Sequence, residues 1–325
     1  MTPPMDRREF LAAGGAAFLG LVAAACSGGN GTTAPPNGGK SNTDAKTIKE
    51  LIAGKQNTVN VISVQPNLAR EDDRLALALV PTGTDGGTVY KGGTARAWVA
   101  TSETAPLQGP IDLEFHGDGF DRGVYIGRAS FDTEGQWLVY VEATPEGSEQ
   151  VQGGSTLVVG NVPAAPGKDP QPVPGDKAIS TPTPTLDDAR GVDPICTRVN
   201  DAGKREPCTM HQISLDQALK NGKPTVLIIG TPAFCESRFC GPIVDQLMIV
   251  QKETADRANF VHIEQWADDK DAPATGTLAP AAAAWRLAAE PVVYYIKPDS
   301  TIAEWTIGAS DAREMRDLTK TTLLS

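Results

Sequence analysis

This sequence has no apolar run long enough to cross a membrane. The longest weakly apolar stretch, Leu11 to Ala25, is about fifteen residues, and a spanning helix needs roughly twenty. Positive charge is also short. Twenty-nine Lys and Arg against forty Asp and Glu give a net charge of −11, and no basic stripe stands out, which argues against a nucleic-acid partner. Metal-ligand spacing is missing too: the cysteine pairs are separated as Cys196-x11-Cys208 and Cys235-x4-Cys240, with no paired histidine close by. Neither a metal nor another cofactor is therefore expected. Internal repeats are absent, so a solenoid is excluded.

Glycine and proline are plentiful, and they concentrate in two stretches that read as linkers. The N-terminus, Asp6-Arg7-Arg8-Glu-Phe-Leu11, resembles a twin-arginine export signal, and Leu21-Val-Ala-Ala-Ala-Cys26 resembles a bacterial lipobox. The resemblance implies a signal peptide over 1–26 and a lipid on Cys26. It places the protein on the extracytoplasmic face of the bacterial membrane. There disulfides persist, and the four remaining cysteines are expected to pair. Residues 27–57 read as a flexible tether.

Between 58 and 162 seven short segments of alternating or apolar character are punctuated by Gly, Asp and Pro. They predict an antiparallel β-sandwich with Trp98 and Trp137 as core anchors. The module resembles Ig-like domains, notably in Gly123-Val-Tyr125 and Phe131 to Trp137. His116, beside glycines, reads as an ordinary loop residue. Residues 163–185 are Pro-rich and predict an extended spacer holding this module apart from the C-terminal region.

Residues 186–325 alternate between strand and helix patterns. A buried strand, Thr225 to Gly230, leads to Cys235 and Cys240, and Gly241-Pro242 then opens a helix over 242–256. A strand over 259–264, a helix around 281–288, a hairpin over 291–307 and a closing helix from Asp311 complete the chain. This order, Phe234 before Cys235, and Glu290-Pro291 before a strand together resemble extracytoplasmic thioredoxin-like proteins. The resemblance implies a multidomain chain, all-β and then α/β. It also implies a cis peptide at Glu290–Pro291 beside the active sulfur, offering backbone to a substrate. Protein thiols or disulfides would be the partners.

The departures are equally specific. Family enzymes carry Cys-Gly-Pro-Cys, whereas here four residues separate the cysteines and Gly-Pro follows the second. The family's buried acid falls near Ile229. Cys235 and Cys240 cannot bridge within one regular helix, because five residues rise roughly 7.5 Å and turn about 500°. They can bridge if 235–241 is a loop. Distance from the strand selects Cys235 as nucleophile, while the helix start selects Cys240; we assign Cys235, with Cys240 as partner. Cys196 and Cys208 are expected to form a structural disulfide, and His211 and His262 to be structural or surface residues. Two functions are compatible with these residues: a thiol-disulfide oxidoreductase acting through Cys235 and Cys240, or a non-catalytic surface binding or scaffold lipoprotein with structural disulfides. A copper-delivery role, as in Sco-type chaperones, is disfavoured by the extra residue and the lack of a matching distal His.

Cys26→Ser should abolish labelled palmitate incorporation and release the protein from the membrane fraction. An unlabelled parent protein overturns the anchor.

Overall fold

The alternating segments form seven strands: β1 Val59–Ser63, β2 Asp73–Pro81, β3 Thr94–Ala100, β4 Gln108–His116, β5 Val124–Ala129, β6 Gly135–Thr144 and β7 Val151–Val159. The structure, a computed structural model, describes residues 45–84, 88–161, 169–235, 238–270 and 276–325; Arg7, Arg8 and Cys26 lie outside them. The chain is mostly β-sheet with few helices, and no helix among the described residues is long and apolar enough to cross a membrane.

The seven strands run β1-β2-β5-β4-β3-β6-β7 in one antiparallel sheet. Two separate facing sheets are not what forms. Residues 108–113 of β4 pair with β3, and its residues 114–116 pair with β5, so β4 joins the two halves. The sheet curls until its first and last strands meet. Thr58 N–H donates to the Gln152 carbonyl at 2.8 Å, and a Cβ on Gly153 would stand 2.1 Å from the Val59 carbonyl oxygen, so only glycine permits this approach. The result is a nearly closed barrel. Leu75, Leu77 and Leu79 of β2 fill it together with Val99, Val139 and Trp137; each such side chain contributes about 1.5–3 kcal/mol on burial. Trp98 is not among them. The period-two alternation sends it to the outer face, where it packs with Tyr140 and Leu51 of a short helix, α1 Ile48–Leu51.

The second sheet has the order β11-β10-β8-β9, with β8 Thr225–Ile229, β9 Asn259–Ile263, β10 Val292–Ile296 and β11 Ile302–Ile307. β8 and β9 are parallel and the remaining pairs antiparallel. Every residue of β8, β9 and β10 is buried, as their continuous apolar runs require when both faces are covered. Leu227 and Ile229 pack toward α2 Leu215–Ala218 and α4 Pro280–Trp285; Val226 and Ile228 pack toward α3 Cys240–Thr254 and α5 Ala312–Leu318.

The Pro-rich connector does not hold the two sheets apart. Gly175 N–H donates to the Ile302 carbonyl, Ile302 N–H to Asp176, and Ala178 N–H to Ser300, so the connector lies along the outer edge of β11. An edge strand left open exposes unpaired backbone groups, and the connector satisfies part of them. The sheets then meet directly. Arg74 of β2, 2% exposed, pairs with Glu314 at 2.6 Å and also donates to the carbonyls of Ile307 and Ala309. His116 lies at the end of β4 with Nδ1 3.1 Å from Asp311, which caps α5 by accepting from Glu314 N–H. Ala78, Val124 and Ala309 form the apolar patch between them.

Two outcomes are expected at this interface. Glu314→Gln should lower unfolding stability by about 3–5 kcal/mol in denaturant titration, because Arg74 keeps its charge while losing its counterion. Burial alone would raise the Asp311 carboxyl, but His116, the Glu314 N–H and Arg313 together hold it below the usual carboxylate range. A depressed folded-state value stabilises above the unfolded pKa of about 3.9, and that contribution disappears as pH falls through the folded value. Asp311→Asn should therefore flatten the acid limb of the stability curve.

Candidate active site

β8 ends at Ile229, and Gly230-Thr231-Pro232-Ala233-Phe234 carries the chain to Cys235, which is bonded to Cys240. The Cα atoms are 5.9 Å apart, within the span a disulfide bridges. Helix α3 begins two residues earlier than Pro242. Ile243 N–H donates to the Phe239 carbonyl at 2.9 Å, which makes Cys240 the first helical residue and leaves Cys235, Arg238 and Phe239 outside the helix. Pro242 then stands in the first turn, where its missing N–H leaves nothing unpaired. Arg238 N–H donates to the Cys235 carbonyl, and Arg238 adopts φ 61°, the left-handed turn that brings the second sulfur back toward the first.

The two sulfurs differ in access. Cys235 is half-buried, whereas Cys240 is fully buried under the loop. Cys240 N–H lies 3.4 Å from the Cys235 sulfur, so the first amide of the helix points at the outer sulfur. Glu290–Pro291 is a cis peptide. The ideal Cβ of Gly230 would lie 3.0 Å from the Pro291 Cβ and 3.4 Å from the Cys240 sulfur, so this loop, Gly230 and the inner sulfur are adjacent. Thr231 N–H donates to the Glu290 carboxylate at 2.9 Å, tying the two loops together.

A cleft of about 390 Å³ opens beside the disulfide loop, lined by Pro232, Ala233, Gly241 and Pro242 from the loop and helix start, by Thr197, and by Gly119 of the barrel. The barrel reaches the loop at a second point: Phe120 meets Phe239 edge to face, with ring centroids 5.9 Å apart.

Cys196 and Cys208 are not bonded to each other. Their sulfurs lie 3.6 and 3.4 Å from His262 Nδ1, and His211 Nε2 lies 3.2 Å from the same nitrogen. All four residues are buried; the unbonded cysteines differ from the expected disulfide, while the histidines take the structural rather than the surface placement of the two expected. Sequence spacing misses the group because His262 belongs to β9 and arrives by strand pairing. The local signal is Cys208-x2-His211, together with the alternation that puts His262 on the same face of β9 as Phe260. A hydrogen bond from Cys208 and the neighbouring His262 charge hold the Cys196 thiol far below its usual range, despite burial; Cys208 is pushed far above by the same pairing and by burial. Burial opposes charge on His262, but the Cys196 thiolate beside it lifts the imidazole to about 9.

Sequence reasoning also misses Glu264. It follows β9, is 2% exposed, and accepts from Thr197 N–H at 2.5 Å and from Thr197 Oγ1 at 3.0 Å; burial pushes its carboxyl up to about 7. Position 229 itself is the fully buried Ile229, with no acid there.

No family model and no curated protein matches the chain. Among solved structures, a thiol:disulfide interchange protein of the thioredoxin family from Chlorobium tepidum TLS is 15% identical with a TM-score of 0.27, covering 45% of this chain and 99% of that one. An engineered protein is 13% identical with a TM-score of 0.23, covering 31% of this chain; this chain spans only 20% of its length.

Gly230→Ala should cost about 1–3 kcal/mol in denaturant unfolding, since its methyl presses on Pro291 and Cys240. An unchanged midpoint would mean that the two loops separate freely.

Proposed function

We propose that the chain is a lipid-anchored, extracytoplasmic thioredoxin-like protein that exchanges disulfides through Cys235 and Cys240, with a barrel-like β module beside the redox domain. The observation that carries the reading is the Cys235–Cys240 bond at the first turn of α3, one sulfur accessible and the other buried against Gly230 and Pro291. In support, β8, α3, β9, α4, the β10–β11 hairpin and α5 follow one another along the chain in the order that the thioredoxin resemblance implies. Export and anchoring rest on Arg7, Arg8 and Cys26.

In the oxidising direction, a partner thiolate attacks Cys235 Sγ. The Cys235–Cys240 bond breaks and its electron pair leaves on Cys240. A second partner thiolate then attacks the partner sulfur of the mixed disulfide, and Cys235 departs as a thiolate. The partner is oxidised to a disulfide and this chain becomes a dithiol. Run backwards, the dithiol reduces a partner disulfide. The Cys240 N–H and the positive end of α3 stabilise the thiolate on Cys235 in either direction. The cleft beside Pro232 and Gly241 offers a place for the partner segment, with Gly119 of the barrel in its lining.

Cys235→Ser should eliminate disulfide exchange with a model dithiol peptide, and Cys240→Ser, offered the same peptide in its disulfide form, should trap the mixed disulfide on Cys235. The reduction potential of the pair, read by thiol trapping across a graded glutathione series, should lie above about −300 mV. A lower potential, or full activity in the double serine variant, would instead favour a binding or scaffold lipoprotein with a structural disulfide.

A further inference from the structure

The second group of cysteines and histidines does not touch the exchange reaction. Cys196 and Cys208 come from the irregular segment ahead of β8, His211 follows three residues later, and His262 stands on β9. Their donor atoms all lie within 4.8 Å of one another, and each residue is at most 2% exposed.

Hydrogen bonding alone leaves this arrangement unexplained. His262 Nε2 lies 2.9 Å from the Gly230 carbonyl, which can only accept, so Nε2 carries a proton and Nδ1 is the atom turned toward the other three residues. Three groups converge on that one nitrogen: Cys196 Sγ at 3.6 Å, Cys208 Sγ at 3.4 Å and His211 Nε2 at 3.2 Å. One ring nitrogen, donating or accepting, forms one well-aligned hydrogen bond. A cation at the centre of the four atoms satisfies all of them.

The distances agree with that centre. Zinc–sulfur bonds of about 2.3 Å and zinc–nitrogen bonds of about 2.0–2.1 Å set tetrahedral edges of roughly 3.3–3.8 Å between donors. The three separations to His262 Nδ1, from 3.2 to 3.6 Å, fall on or next to those edges. The Gly230 carbonyl supplies the outer hydrogen bond that orients a ligating imidazole.

We propose that Cys196, Cys208, His211 and His262 form a closed tetrahedral site for a borderline-soft divalent cation, zinc above all. The site pins the segment 196–211 onto β9. Binding displaces thiol protons, so occupancy falls in acid. The site also adjoins the exchange loop without sharing a ligand with it: His262 holds the Gly230 carbonyl, and Thr197, next to Cys196, accepts from Ala233 N–H at 3.0 Å through its hydroxyl.

The test uses the full-length mature protein, reduced with a phosphine, stripped by a chelator and titrated anaerobically with Co(II) and then Zn(II). One equivalent of cobalt should give the d–d absorption of a tetrahedral ion and a sulfur-to-cobalt charge-transfer band, and zinc should displace it. The double variant Cys235→Ser/Cys240→Ser should bind identically, while His211→Gln and Cys196→Ser should weaken cobalt binding at least about tenfold. X-ray absorption on the parent zinc form should count two sulfur and two nitrogen neighbours, which decides the matter even if a variant fails to fold. Absence of a tetrahedral cobalt spectrum overturns the site, as does its loss in the Cys235→Ser/Cys240→Ser variant. So does a Cys196–Cys208 disulfide in protein isolated from its own compartment without reductant.

Discussion

Arg74 carries a full charge into a region where it touches almost no water, and the chain must supply every compensation itself. Glu314 provides the countercharge, while the carbonyls of Ile307 and Ala309 take remaining donors. All three acceptors lie in the second unit, whereas Arg74 lies on β2 of the barrel. A guanidinium presents its donors in a fixed plane, so satisfying them fixes how the two units are turned toward each other. That orientation brings Phe120 onto Phe239 and Gly119 to the cleft beside the Cys235 loop. The surroundings of the disulfide thus depend on a charge pair formed with a strand of the other unit.

Within the second unit, the end of β8 serves two neighbourhoods at once. The missing side chain of Gly230 leaves room for Pro291 and the Cys240 sulfur, and its carbonyl orients His262. A backbone group and an absent Cβ at one position therefore link the disulfide to the buried cysteine–histidine group. Thr197 repeats the link from the other side, donating to Glu264 and accepting from Ala233. Movement of the 230–235 segment during exchange would be opposed by both contacts.

Local periodicity is enough to place all seven barrel strands and the four strands of the second sheet, because alternation and continuous apolar runs are written residue by residue. What periodicity does not encode is partner choice. Nothing in Gln108–His116 announces that β4 changes partners midway, so the pattern predicts a sandwich where a curled sheet forms. Trp98 reads as core from its size alone, although its neighbours Ala97 and Val99 point into the barrel and leave it outside. Helix α3 starts at Cys240 rather than Pro242 because the first helical hydrogen bond uses the Phe239 carbonyl, a matter of backbone rather than residue type. Of the candidate site, the Cys235–Cys240 bond and the adjacent Pro291 are legible in the sequence. His262 is not, since only folding brings it beside residues more than fifty positions earlier in the chain.

The connector has the composition of a spacer, and composition says nothing about a strand edge waiting to be covered. With residues 175–178 laid along β11, the join between the units is part of the second sheet. This bears on how the protein is inherited and dissected. The C-terminal unit is not a portable cassette: a fragment that begins after the connector would uncover β11, expose Ala309 and leave Glu314 facing solvent where Arg74 had been. A protease that nicked the connector would accordingly produce two pieces that still travel together in native solution.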